Sequence, residues 1–291
     1  MNPLDEFIFS QSALQDYVDC PRRFELRYLR EVKWPALETQ SVIEFEEAMQ
    51  RGQEFHHLLH QHALGVPAKV IEATIRDAEM RLWWDAYVVW QAERLPVERH
   101  PEITMTAAIG GRLLMAKYDL IARTAEGEIL IVDWKTGRSK RPGALASRMQ
   151  TLVYPFVLAR AGDWLNDGAP IPPDRIRMIY WFAEDARAVE FTINAEKLAA
   201  DELRLTKMLD ELFAWTTDNQ QPTTSNQQPA TDNRQPFAFP MTEVERRCGF
   251  CVYRSLCNRG EAASGLEALE EEEELPAPVT LDLDALEEIA F

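Results

Sequence analysis

The sequence predicts an α/β fold in which helices enclose a central sheet, and three observations carry that expectation. Helix patterns with capping signals fill residues 10–95, three apolar alternating runs follow between 102 and 135, and helix and strand patterns then alternate to 215. The 291 residues suffice for one large domain or two small ones.

Ser10 and Ser12 are candidate N-caps for a helix over ALQDYVDC, and Pro21 breaks or restarts it after Cys20. A second helix is expected over 41–62 and a third, rich in aromatic residues (EMRLWWDAYVVWQAERL), over about 72–95. EITMTAAI, GRLLMAKYDLIAR and GEILIVDWK then read as strands joined at Gly110-Gly111 and around Glu126-Gly127. A helix over 143–161, a strand pair over 175–192 and a helix over 194–215 follow. TTDNQQPTTSNQQPATDNRQP, 216–236, repeats NQQP and has no apolar side chain beyond one Ala. Such a segment cannot offset its own ordering entropy and is expected to be a disordered insertion. The domain thus comprises 1–215 and 237–260, followed by an acidic tail, 261–291, whose end LDLDALEEIAF is a candidate docking segment.

The net charge is −17, which disfavours a nucleic-acid partner at first sight. Residues 261–291 hold eleven acids and no Lys or Arg, so subtracting eleven leaves −6 for residues 1–260. A nucleic-acid partner therefore stays open. No apolar run reaches the ~18 residues that a membrane span needs. MNPLDEFIFS has neither a basic region nor a long apolar stretch, so a cytoplasmic protein without signal peptide or membrane partner is expected.

The run LIVDWK places its chemistry at a strand end. Alternation puts Asp133 and Lys135 on one side and Trp134 on the other. If 112–123 and 128–135 form a hairpin, Asp119 of the preceding strand comes close to Asp133 or Trp134. Two neighbouring carboxylates repel unless a cation lies between them, and Mg²⁺ or Mn²⁺ prefers such oxygen ligands. Lys135 beside a metal would orient a water or stabilise charge on a phosphate. The bland alternative is a structural salt bridge.

Asp119, then Asp133-x-Lys135, then Gly137, resembles the PD-(D/E)XK nuclease superfamily. IVDWKTG followed by QTLVY, with Gln150 and Tyr154, is similar to its RecB-like branch, as is His56 four residues after Gly52. Ala116 stands where the branch often has Gly. The resemblance spans residues 10–260 and implies a restriction-endonuclease-like α/β core, a mixed sheet around 100–192 flanked by helices. It implies metal ligation by His56, Asp119, Asp133 and the backbone carbonyl of Trp134, with Lys135, Gln150 and Tyr154 completing the catalytic set. Glu102 matches an acid often found in the branch and is a candidate to support the ligands from behind. His56 and His60, one turn apart, would by themselves also suit zinc. Arg138, Lys140, Arg141 and Arg148 follow the catalytic strand and are candidate phosphate contacts.

The four cysteines are Cys20 and the group Cys248, Cys251 and Cys257 in CGFCVYRSLC. In a cytoplasmic chain four thiols suggest a metal centre, zinc or an iron–sulfur cubane. One Cys before the nuclease core and three after it, the first followed by Pro, resemble the iron–sulfur nucleases: AddB-type helicase–nuclease subunits and CRISPR-adaptation nucleases. That resemblance implies a structural [4Fe–4S] cluster. It also implies DNA, single-stranded or with a free end, as substrate, and repair, recombination or CRISPR adaptation as the setting. The chain has no G-x-x-x-x-G-K-[ST] loop, so a helicase would be a separate subunit. A non-cleaving module that holds DNA ends is the alternative from another class.

Overall fold

The computed structural model describes residues 2–34, 40–218, 239–249 and 251–260, without the side chains of 40–45 and 217–218. The run ILIVDWK forms a strand, here β4 (Ile129–Lys135), buried at every position except Lys135. A strand apolar on both sides belongs in the middle of a sheet. It pairs antiparallel with β3 (Arg112–Arg123) and parallel with β5 (Ile176–Phe182), and β5 pairs with the edge strand β6 (Arg187–Thr192). β2 (Glu98–Ile109) lies antiparallel along β3, connected through Gly110-Gly111, both with positive φ as a tight hairpin requires. The other edge of β3 is shared. β1 (Ile8–Ser10) pairs parallel with Leu113–Met115, and β4 pairs with Leu120–Arg123. Residues 116–119 therefore face a gap between β1 and β4, and Asp119 stands in it.

Helices cover both faces of this mixed sheet. On one face lie α1 (Gln11–Asp19), α7 (Met149–Ala161) and α8 (Ala195–Asp218), joined to the sheet through Leu14, Val153, Val157, Leu205 and Leu209. On the other, α3 (Gln40–Ala63), α4 (Ala68–Glu72) and α5 (Ala78–Arg94) bury Phe55, Ile71, Trp83, Trp84 and Tyr87 against Trp134, Ile179 and Trp181. Ser10 caps α1 by accepting from the Ala13 N–H at 3.1 Å. Pro21 opens the short α2 (Pro21–Phe24), where its missing N–H costs nothing. No helix among the described residues is long and apolar enough to cross a membrane.

Four expectations need correcting. The helix expected over 143–161 is two, α6 (Pro142–Ala146) and α7, because Arg148 is extended at φ −69°, ψ 143°. The helix expected over 72–95 is α4 and α5, because Asp77 starts a new helix by accepting from the Met80 N–H at 2.7 Å. The first strand of the central group starts at Glu98 rather than at 102, since β3 pairs with it from Glu98 on, with Glu102 alone skipped in the register. The helix expected over 194–215 runs on to Asp218, through residues 216–218 that were assigned to the insertion. Thr216 is buried in α8, accepts from Asn2 Nδ2 at 2.7 Å and donates to the Phe213 carbonyl at 2.8 Å. Residues 219–236 and the acidic tail lie outside the described residues.

Candidate metal-dependent active site

Asp119 marks a change of face along β3. Ala116 and Tyr118 enter the core beside α7, whereas Leu120 and Ala122 enter the aromatic core opposite. Across the strands, Glu102 and Asp119 are the unpaired residues between the pairs Pro101–Leu120 and Ile103–Tyr118, and Glu102 has φ of 50°, outside the extended region. Such backbone settings are disfavoured for a side chain with a Cβ and cluster at functional sites. Beyond the pair Leu120–Val132, β3 and β4 part. Asp119 Oδ2 there accepts the Trp134 N–H at 2.9 Å in place of a ladder bond.

The Trp134 ring anchors this strand end, 5.5, 5.7 and 6.0 Å from the rings of Tyr87, Trp90 and Trp181. Asp133 and Lys135 consequently share the opposite face, with Lys135 Nζ 2.7 Å from Asp133 Oδ2. Gln150, in the first turn of α7, bridges the pair. Its Nε2 donates to Asp133 Oδ1, and its Oε1 accepts from Lys135 Nζ at 3.3 Å. Asp133 is 3% exposed. Burial pushes its carboxyl above the ordinary range, Lys135 pulls it back, and the charge of Asp119 pushes it up again. Tyr154, one turn after Gln150, is buried and hydrogen-bonded to it; burial first, then the charges of Asp133 and Asp119, raise its phenol. Gln150 and Tyr154 thus face the site together.

α3 closes the other side. A Cβ on Gly52 would lie 3.3 Å from Thr136 Oγ1, so glycine lets the helix lie close to the residue following β4. One turn on, His56 Nδ1 is 3.7 Å from Asp119 Oδ2, and a turn later His60 Nδ1 is 3.8 Å from Glu102 Oε1. The two imidazoles meet different carboxylates rather than forming one chelate. Every residue singled out for the catalytic and metal-binding sets therefore lies in one place: His56, Asp119, Asp133, Trp134, Lys135, Gln150 and Tyr154.

Of the basic residues after β4, Lys140 and Arg148 lie beside the site. Burial, with the positive charges of Arg148 and Lys135, lowers the Lys140 amine to about 8. Arg148 is buried, and burial pushes its guanidinium down against the pull of Tyr180, Asp19 and Asp133. Arg138 instead donates to Glu184 at 2.7 Å, on the turn between β5 and β6. Sequence patterns gave no sign of Tyr180, whose ring centre is 5.9 Å from Lys135 Nζ and whose hydroxyl is 2.7 Å from Thr151 Oγ1. Nor did they reveal Tyr118, which donates to the Tyr154 carbonyl at 2.9 Å.

The four cysteines gather elsewhere. Cys20, between α1 and α2, lines with Cys248, Cys251 and Cys257 a cavity of about 20 Å³ that Arg23, Arg247, Arg254 and Arg259 also line. Burial raises the Cys251 thiol to about 11, opposed by Arg23 and assisted by Cys20 and Cys257. The two ends of the domain are sewn together around it. The Arg22 N–H donates to the Pro240 carbonyl at 3.0 Å, Trp34 Nε1 to Ser255 Oγ at 2.8 Å, and the Tyr253 hydroxyl to the Val32 carbonyl at 3.1 Å. Among the described residues no three His, Cys, Asp or Glu side chains converge closely enough to hold an ion as they stand. The donor types nonetheless suit metals: two carboxylates and an imidazole a hard divalent ion, four thiols among guanidiniums an anionic thiolate centre.

A family model for the PD-(D/E)XK nuclease superfamily matches residues 8–258. The chain belongs to that superfamily, whose members are metal-dependent phosphodiesterases. Among solved structures it is similar to a candidate exonuclease from Eubacterium rectale, with 9% identity and a TM-score of 0.46 over 78% of this chain and 91% of that one. It is also similar to SSO0001, with 12% identity and a TM-score of 0.37 over 86% of this chain and 85% of that one. Among curated proteins none matches. The family match carries the assignment.

Proposed function

We propose that this protein is a deoxyribonuclease of the RecB-like branch that shortens single-stranded or free-ended DNA. The observation that carries the reading is the parting of β3 and β4, where Asp119 holds the Trp134 N–H while Asp133, Lys135 and Gln150 form one bonded group beneath. His56, Asp119, Asp133 and the Trp134 carbonyl would hold Mg²⁺ or Mn²⁺. An ion bound there would supply Lewis-acid polarisation of the phosphate and a water of lowered pKa. Lys135 Nζ lies beside Asp133, where it orients the attacking water and balances charge gathering on the phosphate. Gln150 fixes the rotamers of both. Tyr154 and Tyr180 exclude solvent below them, which strengthens each of these contacts.

Cys20, Cys248, Cys251 and Cys257 would hold a [4Fe–4S] cluster as a structural closure of the domain, in keeping with the resemblance to iron–sulfur nucleases. A separate helicase or a CRISPR-adaptation subunit is the partner that a chain of this kind would serve. Linear and circular single strands of one sequence, incubated with Mg²⁺ and anaerobically purified protein, test the reading. Degradation of the linear strand alone, by protein that carries iron, is expected. Equal cutting of the circle would overturn the requirement for an end, zinc in place of iron would overturn the cluster, and binding without cutting would leave an end-holding module.

A further inference from the structure

The cysteine site and the active site are built on different elements, yet a continuous series of polar contacts joins them. Arg23, which lines the cysteine cavity, donates through Nη2 to Asp19 Oδ2 at 2.7 Å. Arg247, on the same cavity, has its Nη1 3.9 Å from Asp19 Oδ1. Asp19 is the last residue of α1, adjoins Cys20 and is 1% exposed. Its Oδ1 accepts from Gln15 Nε2 at 3.0 Å. Gln15, one turn earlier on α1, accepts through Oε1 the backbone N–H of Met149 at 3.0 Å. Met149 opens α7, and the next residue is Gln150, which bridges Asp133 and Lys135.

The Gln15 contact carries weight because of where it falls. The first N–H groups of a helix have no partner within it, and Arg148, the N-cap of α7, makes no side-chain capping bond. The cap comes instead from another helix, across 134 residues of chain. Gln15 thereby fixes where α7 begins, and so the height at which Gln150 meets the catalytic pair. At its other end Gln15 is held by a buried carboxylate that faces two guanidiniums of the cysteine cavity. A thiolate-bound centre there carries negative charge and competes with Asp19 for those guanidiniums.

We propose that Gln15 is a positioning residue through which the occupancy of the four-cysteine site sets the placement of Gln150. The proposal rests on the nuclease reading for its catalytic consequence, and its structural half is read independently by hydrogen exchange. Gln15→Met keeps length and volume but cannot cap Met149. In the wild type, stripping the cysteine-bound metal and restoring Mg²⁺ raises exchange in the peptide that begins at Met149 to the Gln15→Met level, and leaves the variant unchanged. Exchange that rises equally in both, or in neither, overturns the coupling. Where stripping unfolds the chain, Arg247→Met serves as the perturbation, since it loosens Asp19 and leaves every thiol in place.

Cleavage supplies a second reading. Gln15→Met lowers kcat about tenfold with KM unchanged, and costs nothing further in a Gln150→Ala background, as residues acting through one another behave. The same fold-loss in both backgrounds would make Gln15 merely structural. Wild-type protein that does not cut refutes the nuclease reading instead, and the exchange result still decides the coupling.

Discussion

Asp133 and Lys135 hold opposite charges 2.7 Å apart at a nearly dry strand end, an arrangement that stability alone would not favour. Desolvating such a pair costs about as much as its attraction returns. Lys140 adds to the field around the pair, and its amine at about 8 loses its proton far below an ordinary lysine at 10.5. The sign follows directly. A phosphate contact that needs the ammonium is present below pH 8 and fades above it, so KM for an oligonucleotide rises as pH climbs through about 8. Lys140→Arg, which stays charged, removes that rise, and steady-state kinetics between neutral pH and pH 9 check it. Stability runs the other way. The folded state carries a disfavoured charge below pH 8, so this group makes the fold more stable as pH rises from there toward 10.5. At this scale the polar residues of the site were legible because Asp119, Asp133, Lys135, Gln150, Tyr154 and His56 belong to short local patterns. Tyr118, Tyr180 and Gln15 were not, since each meets the site only through contacts formed across the fold.

Among the elements, the approach of α3 to the end of β4 places His56 over Asp119. Gly52 permits it: an added methyl meets Thr136 Oγ1 at 3.3 Å, so helix or side chain must give by a few tenths of an ångström. Alanine also raises helix propensity, by about 1 kcal/mol, which offsets the contact in stability. Gly52→Ala is therefore expected to leave the unfolding midpoint nearly unchanged while lowering kcat about fivefold through misplacement of His56. Adding Thr136→Ala relieves the contact and restores the rate, which single-turnover cleavage measures. The long strands and helices were readable because their apolar periods are strong. β1 was not, because a three-residue strand has no period of its own and exists through pairing with Leu113–Met115. The break before α7 was equally hidden, since the cap that starts it comes from Gln15 on another helix.

For the whole molecule, the chain closes on itself at the cysteine site, with residues 20–34 bonded to 239–255 around the nuclease sheet. Cys20 and the group Cys248, Cys251 and Cys257 belong to distant stretches of the sequence, and the fold brings all four to one cavity. Spacing alone would not distinguish a zinc site from an iron–sulfur centre, since both accept the same four thiolates. Net charge left a nucleic-acid partner open for a reason its distribution shows. Most of the −17 belongs to residues 261–291, while Lys135, Lys140 and Arg148 lie within electrostatic reach of one another beside the candidate site. The central claim is that Asp133 and its neighbours hydrolyse DNA, and end-labelled single strands with Mg²⁺ test it most directly by comparing wild type with Asp133→Ala. Shortened strands from the wild type and cutting slower by about a thousandfold or more in the variant are predicted. Equal cutting by both proteins would contradict the account.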